Sequence, residues 1–242
     1  MSAGARDRAI RRSRPLCFDV RGHRIFGIIG VLREITTMPP QVSGTEGYAA
    51  EADSLFVRYE SIPSDEAHAA VLHLLPRTPA RVLDIGAGTG RDAAWFARLG
   101  HRVVAVEPTD ALRLRAMQLH ASPAIDWIDD SLPELAVLAT RDESFDLVML
   151  TAVFMHLDET ERRRALPNIA ARVARGGMLI MTLRHGPVPQ GRRMFEIDPE
   201  SIIVPARLLG LNLELHRRGS SLTAENRAAG VTWTTLAFSK PR

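Results

Sequence analysis

Short apolar runs alternate with amphipathic stretches of about ten residues from Tyr48 to the end of the chain. The apolar runs predict seven strands, at residues 81–85, 102–106, 124–128, 145–150, 178–183, 211–217 and 231–238. The amphipathic stretches predict helices at residues 65–75, 91–99, 110–119, 159–174 and 198–209. Pro167 is expected to break the fourth of these helices, because proline removes a hydrogen bond and clashes with the preceding turn.

Strands that alternate with helices of this length are typical of an α/β fold with parallel strands. The continuous apolar runs at residues 102–106 and 145–150 suit strands that are covered by helices on both faces. No helix is predicted between the last two strands, and a connection without a crossover allows an antiparallel pair. We therefore expect a mostly parallel sheet that ends in an antiparallel hairpin.

Composition excludes several classes of protein. The chain has 242 residues, of which 45% are hydrophobic and 24% are charged, as in a globular domain and unlike a disordered chain. The apolar run from Ile25 to Leu32 is shorter than the roughly 20 residues that a membrane span needs. The single cysteine, Cys17, excludes an internal disulfide framework and a multi-cysteine zinc site, so a cytoplasmic setting is expected.

The basic charge of the chain is concentrated at its N-terminus. Residues 1–37 hold eight arginines and three acids, a net of +5, so the remainder of the +3 chain carries −2. Without a basic face on the folded domain, no nucleic-acid partner is expected. We expect residues 1–37 to be disordered or not translated in the cell, with Met38 as a plausible start. An arginine-rich transit peptide is the alternative.

A glycine-rich segment follows the first predicted strand. In Val82-Leu83-Asp84-Ile85-Gly86-Ala87-Gly88-Thr89-Gly90, the glycines have the spacing G-x-G-x-G. Dinucleotide-binding loops need G-x-G-x-x-G, and Arg91 occupies the position of their last glycine. A carboxylate at Asp84 would repel a pyrophosphate and would favour a ligand with an amine or a sulfonium. A carboxylate that only caps the loop is the structural alternative.

Glu107 ends the second predicted strand, within the sequence AVEP. An acid at this place can accept hydrogen bonds from both hydroxyls of a ribose. Because folds that bind NAD share this feature, it indicates a nucleoside without indicating which one. An exposed acid at the end of a strand is the alternative.

Four segments together resemble the class I S-adenosyl-L-methionine-dependent methyltransferases: VLDIGAGTG, AVEP, FDLVML and ARGGMLIMTL. The resemblance covers about residues 48–240 and is closest to the bacterial small-molecule type. Amino DNA methyltransferases carry a tetrapeptide after the fourth strand, where this chain has Thr151-Ala152-Val153-Phe154. The resemblance implies a Rossmann-like seven-stranded sheet with helices on both faces and an antiparallel last strand. It also implies methyl transfer to an O, N, S or C nucleophile of a small-molecule acceptor, with S-adenosyl-L-methionine as cofactor.

Three parts of the chain are expected. The charge pattern indicates the N-terminal extension of residues 1–37, and the resemblance implies a helical lid over residues 38–80 that includes Tyr48 and a cofactor-binding domain over residues 81–242. The residues expected to bind the methionine part of the cofactor are Asp84, Gly86, Ala87, Gly88, Gly90 and the backbone of Leu150. Those expected at the ribose and adenine are Glu107, Pro108 and Asp129, with Asp130 as the alternative to Asp129.

His156 follows the fourth predicted strand, at the edge of the sheet where ligands bind in such folds. An imidazole with a pKa near neutrality suits a general base, so His156 is the candidate catalytic residue. Packing against the next helix, or capping it, is the alternative role. The histidines show no HExxH-like spacing, so no metal site is expected.

The connection at residues 184–198 is long and holds Arg184, His185, Arg192 and Arg193. It either covers the acceptor and attracts an anionic group, or is a solvated loop. Two other readings of the whole chain remain: an NAD(P)-binding oxidoreductase, and a non-catalytic relative that binds the cofactor. A protein or RNA acceptor and the oligomeric state are also left open.

Overall fold

The structure is a computed structural model that describes residues 42–242. The helices are α1 (Ala52–Glu60), α2 (Ser64–Ala67), α3 (Arg91–Arg98), α4 (Asp110–Leu119), α5 (Ala136–Ala139), α6 (Glu159–Arg172), α7 (Glu200–Leu208) and α8 (Ala224–Ala228). The strands are β1 (Arg81–Ile85), β2 (Arg102–Val106), β3 (Ile125–Ile128), β4 (Phe145–Thr151), β5 (Val173–His185), β6 (Asn212–Ser220) and β7 (Thr232–Ser239). Single turns of 3-10 helix lie at Leu72–Leu74 and Phe154–His156. The predictions for residues 1–37 lie outside the described residues.

The seven strands form one sheet in the order β3-β2-β1-β4-β5-β7-β6. Strands β1 to β5 pair in parallel, and β7 lies antiparallel between β5 and β6. The Rossmann-like sheet and its antiparallel last strand are therefore confirmed. The strand order reverses at β1, which has β2 on one side and β4 on the other. A crevice therefore opens at the carboxyl ends of these strands.

Both faces of the sheet are covered by helices. Val82 and Leu147 belong to the apolar cluster on one face, whereas Leu83 and Val148 belong to the cluster on the other. Successive residues of a strand point to opposite faces, and here both sets are buried, which explains the continuous apolar runs. None of the helices within residues 42–242 combines the length and the apolar character needed to cross a membrane.

Three predictions about helices are wrong. Helix α6 runs through Pro167 without a break, stabilised at its start by the Asp158–Glu161 capping box and by buried residues on its inner face. The helix predicted at 65–75 is only the four-residue α2, because the chain turns at His68. The short helix α8 lies in the connection between β6 and β7, where no helix was predicted. The antiparallel pairing of these two strands is nevertheless confirmed.

Candidate functional site

A cavity of about 660 Å³ lies at the carboxyl ends of β1, β2, β4 and β5. This volume is within the range of small-molecule and cofactor sites. Its wall includes the glycine segment, the residues that follow β2 and β4, and part of the N-terminal region from Val42 to Ala70. Within residues 42–242, no group of three or more His, Cys, Asp or Glu side chains is placed to hold a metal ion.

The three glycines of the loop play different parts. A Cβ at Gly86 would lie 2.5 Å from Cγ2 of Val153, and a Cβ at Gly90 would lie 2.8 Å from the ring of Trp127. These two glycines therefore allow close packing of protein against protein. At Gly88, whose φ is +58°, nothing lies nearer than the Gly86 carbonyl oxygen at 4.0 Å. The space in front of Gly88 is part of the cavity, whereas Gly90 does not line it.

Asp84 is a buried acid at the tip of β1, only 2% exposed. Its Oδ2 atom has no hydrogen-bond partner among residues 42–242, although the side chain lines the cavity. Burial raises the pKa of Asp84 well above its usual value; Asp92 raises it further and Arg91 opposes them. An unpaired carboxyl group in this position is costly to the folded protein unless a cation pairs with it.

The neighbouring acid, Asp92, is held by two partners from different elements. Nε2 of His68 lies 2.8 Å from Oδ2 of Asp92, and Nε of Arg91 donates to Oδ1 at 2.8 Å. Burial disfavours the Asp92 carboxylate, but His68 and Arg91 outweigh burial and hold its pKa below the usual value. Nothing in the hydrophobic pattern distinguishes His68, so sequence reasoning did not identify this group behind Asp84.

Glu107 organises the loop that faces the cavity. Its Oε2 accepts from the Gly88 N–H at 2.8 Å, and its Oε1 accepts from the Thr109 N–H at 2.9 Å. Burial raises the pKa of Glu107, and these hydrogen bonds oppose the effect. Each oxygen keeps a free lone pair, so the carboxylate can still accept from two hydroxyl groups of a ligand. Ala87 and Pro108 line the cavity beside it.

The two candidate acids after β3 occupy different environments. The Asp129 side chain is 66% exposed and its Oδ1 lies 3.0 Å from Nη1 of Arg113, away from the cavity wall. Asp130 is buried and lines the cavity, and its two oxygens accept from the N–H groups of Ser131 and Leu138, each at 2.8 Å. The structure therefore places Asp130, and not the preferred Asp129, in the cavity wall.

The end of β4 reaches the cavity one residue later than the sequence suggested. Leu150 is fully buried in the core, whereas Thr151 and Ala152 line the cavity. The Thr151 Oγ1 atom is buried without a partner in the described part of the chain. Ala152 has a φ of +60°, and its N–H donates to Oγ1 of Thr182 at 2.9 Å. A non-glycine residue in this strained conformation is typical of a binding site.

His156 lies in the cavity wall with both ring nitrogens engaged. Nδ1 lies 2.8 Å from the carbonyl oxygen of Arg193, and Nε2 lies 2.9 Å from the hydroxyl of Tyr48. A carbonyl only accepts, so Nδ1 carries the proton and Nε2 accepts from the Tyr48 O–H. Burial lowers the pKa of His156 and raises that of Tyr48, so the imidazole is neutral and the phenol keeps its proton near pH 7.

Most basic side chains of the 184–198 connection pair with carboxylates of the protein itself. The Arg192 guanidinium lies 3.9 Å above the Tyr48 ring and pairs with Glu51 at 2.9 Å. Arg193 pairs with Glu161 at 2.7 Å and with Asp158 at 3.0 Å. His185 is buried and hydrogen-bonded to Glu196 and Thr234. Of the four residues considered for an anionic group, only Arg184 has no carboxylate within 4.0 Å among residues 42–242.

Comparisons with known proteins agree with this geometry. A family described as "Methyltransferase domain" matches residues 82–177. Glycine N-methyltransferase of Oryctolagus cuniculus is 29% identical over 214 residues, which are 76% of this chain and 70% of that protein. The N-methyltransferase NodS of Bradyrhizobium japonicum, with bound S-adenosyl-L-homocysteine, has a TM-score of 0.58 and 20% identity over 73% of this chain and 87% of that one.

A second solved structure is the 1,6-didemethyltoxoflavin-N1-methyltransferase of Burkholderia thailandensis, with a TM-score of 0.60 and 21% identity. That comparison covers 85% of this chain and 93% of the other. At this level of identity both structures establish a likeness of fold.

Proposed function

Since the chain belongs to the class I methyltransferases that use S-adenosyl-L-methionine, we propose that it methylates a small-molecule acceptor held in the cavity beside the glycine loop. The observation that carries this proposal is the unpaired, buried Asp84 carboxyl group at the tip of β1. Three buried acids and one guanidinium make this end of the cavity favourable to a cationic ligand: Asp84, Asp92, Glu107 and Arg91.

The residues present fit the cofactor. Asp84 would pair with the amino group, and the open space at Gly88 would let the ligand approach the backbone closely. Glu107 would accept from the ribose hydroxyls through its free lone pairs. Of the two acids after β3, Asp130 is better placed than Asp129 for the adenine, since it lines the cavity.

The other expected cofactor residues contribute in two ways. Gly86, Ala87 and Pro108 would lie along the ligand, because they line the cavity. Gly90 and Leu150 would act from behind: Gly90 by allowing the loop to pack on Trp127, and Leu150 by holding the end of β4 in the core. Thr151, which sequence reasoning did not identify, offers a free hydroxyl to the ligand in place of Leu150.

A small acceptor is supported by the size and the walls of the cavity. Residues from the segment 42–51 line one wall, and the Glu51–Arg192 pair ties this segment to the connection after β5. The Ser43 hydroxyl also donates to Glu161 at 2.7 Å. A cavity of about 660 Å³ suits a metabolite better than a folded macromolecule.

When bound, the cofactor supplies an electrophilic methyl group on a sulfonium sulfur. The protein's task is mainly to hold an acceptor atom in line with it. We propose that His156 acts as general base when the acceptor must lose a proton. Nε2 is the unprotonated nitrogen, and the Tyr48 hydroxyl bonded to it could pass a proton from the acceptor to Nε2.

Methyl transfer can be tested with cofactor labelled in the methyl group and a panel of amines, phenols, thiols and amino acids that includes glycine. The expected result is release of S-adenosyl-L-homocysteine that depends on one acceptor class and is lost in Asp84→Asn. Asp126→Asn, which removes the same charge from an exposed site on β3, is the matched control and should stay active. Tight binding of the homocysteine product without turnover on any acceptor class would support the non-catalytic reading.

A further inference from the structure

Two arginines from different strands line one side of the cavity. Arg184 lies near the end of β5, and Arg217 lies on β6. We call these two residues the basic wall. The strand order places β5, β7 and β6 on the side of β4 that is opposite to β1, so the basic wall lies away from the glycine loop.

The register of the sheet brings both arginines to one face. Thr182 of β5, Thr235 of β7 and Arg217 of β6 are direct cross-strand neighbours. Arg184 and its β7 neighbour Trp233 lie two residues further along, and therefore on the same face. Two strand spacings of about 4.8 Å separate β5 from β6, which long arginine side chains can bridge. The Arg184 and Arg217 guanidinium groups can thus converge on one ligand over Trp233.

No carboxylate within residues 42–242 lies within 4.0 Å of a guanidinium of the basic wall. The carboxylate of Glu51, which also lines the cavity, is already engaged, because it pairs with Arg192 at 2.9 Å. Arg184 donates one N–H to the carbonyl oxygen of Pro187 at 2.7 Å. Its remaining N–H groups are available to a ligand. Unpaired guanidinium groups facing a cavity favour a ligand with an anionic oxygen group.

We propose that the acceptor carries a carboxylate or a phosphate monoester, and that the basic wall binds this group. The proposal rests on the proposed function, because it identifies the ligand class of the same cavity. Arg184 and Arg217 would hold the oxygens through the forked donors of guanidinium. Thr182 and Thr235 lie in one cross-strand row with Arg217, and their hydroxyls can complete the site.

The test is calorimetry on the full chain saturated with S-adenosyl-L-homocysteine, with benzoate, phenyl phosphate and neutral benzamide as probes. At least one anionic probe should bind about tenfold or more tightly than benzamide, a difference typical of one good charge-assisted contact. A preference for benzoate would identify a carboxylate acceptor, and a preference for phenyl phosphate a phosphate ester. Equal binding of benzamide, or no binding of either anion, would overturn the proposal.

Variants separate this site from a general effect of charge. Arg184→Gln and Arg217→Gln should each lower the affinity for the anionic probe about tenfold. Arg184→Lys should keep part of the affinity that Arg184→Gln loses. Arg218→Gln is the matched control, since Arg218 is next in sequence, bonds Thr232 and does not line the cavity. A loss in Arg218→Gln equal to that in Arg217→Gln would refute the site.

The same titrations keep the two proposals apart. The variants of the basic wall should bind S-adenosyl-L-homocysteine as the wild type does, because the glycine loop is untouched. If the wild-type chain failed to bind S-adenosyl-L-homocysteine, the proposed function would fail first. If it bound that ligand normally and the anions showed no preference, only the inference about the acceptor would fail.

Discussion

At the scale of single residues, Asp84 shows how a binding group can lower the stability of the unliganded protein. Its carboxyl group is buried, and one oxygen lacks a partner within the described residues. Burial and Asp92 raise the pKa of Asp84, so ionisation of this group is unfavourable in the folded state. A ligand amine would relieve the cost by pairing with the carboxylate.

Asp84→Asn should therefore stabilise the free protein while weakening ligand binding. A raised folded-state pKa favours folding below the ordinary pKa of an aspartic acid, and this contribution is lost as the pH rises through the folded-state pKa. Without ligand, the free energy of unfolding of the variant should exceed that of the wild type by about 1 kcal/mol near pH 8. The difference should become smaller toward pH 4. Urea unfolding at both pH values measures it. A variant less stable than wild type at pH 8 would contradict the account.

His156 makes a prediction about activity and pH. Because burial lowers the pKa of His156, a base at this position should give an acidic limb in kcat/KM with an apparent pKa below the ordinary 6.5. His156→Gln should remove this limb and lower kcat by about 10²-fold or more. Tyr48→Phe should also lower kcat, since it removes the hydroxyl that would pass the acceptor's proton to Nε2. Turnover in His156→Gln within a few fold of wild type would leave His156 with a packing role.

At the scale of elements, the glycine loop divides the tasks of packing and binding between its residues. Gly86 lies against Val153, which follows β4, and Gly90 lies against Trp127 of β3, so both glycines pack the loop against neighbouring elements. Gly88 faces open space and is fixed by its bond to Glu107, at the end of β2. The loop thus presents one backbone segment to a ligand while its two ends are packed.

Gly88→Ala and Gly100→Ala form a matched pair that tests this division. Both glycines have positive φ, +58° and +90°, and neither Cβ would meet an atom closer than 4.0 Å. Each substitution should cost about 1–2 kcal/mol of stability through left-handed strain. Only Gly88→Ala should lower the affinity for S-adenosyl-L-homocysteine, by about tenfold or more, because its Cβ would enter the cavity. Equal affinity in the two variants, measured by calorimetry, would place the ligand elsewhere.

The strands could be predicted from the sequence because both faces of the sheet are buried, and continuous apolar runs mark such strands closely. Runs at residues 81–85 and 102–106 match β1 and β2. The continuity of helix α6 was harder to predict, because its capping box and buried face outweigh the local effect of Pro167. The short helix α8 has no buried residue, and so gave no apolar pattern to recognise.

The cofactor end of the site was accessible to sequence reasoning because its residues are close in sequence to the glycine loop. The basic wall was not, since Arg184 and Arg217 are far apart in sequence and come to one face only through the β5–β7 and β6–β7 registers. The choice between Asp129 and Asp130 depended on which side chain turns inward after β3. One residue decides this, and the pattern of the strand does not specify it.

At the scale of the whole molecule, the cavity has opposite charges at its two ends. Buried acids lie at the β1 and β2 end, and the basic wall lies on the β5–β7–β6 side. A cationic methyl donor and an anionic acceptor would each be attracted to its own end, which orients the two ligands before reaction. The polarity of the cavity thus connects the proposed function with the inference about the acceptor.

The most direct test of the central claim is calorimetry of the full chain with S-adenosyl-L-homocysteine and, separately, with NADH. We predict that S-adenosyl-L-homocysteine binds one site per chain with an affinity that falls about 100-fold in Asp84→Asn, and that NADH does not bind. Binding of NADH without binding of S-adenosyl-L-homocysteine, or binding that Asp84→Asn leaves unchanged, would contradict the account.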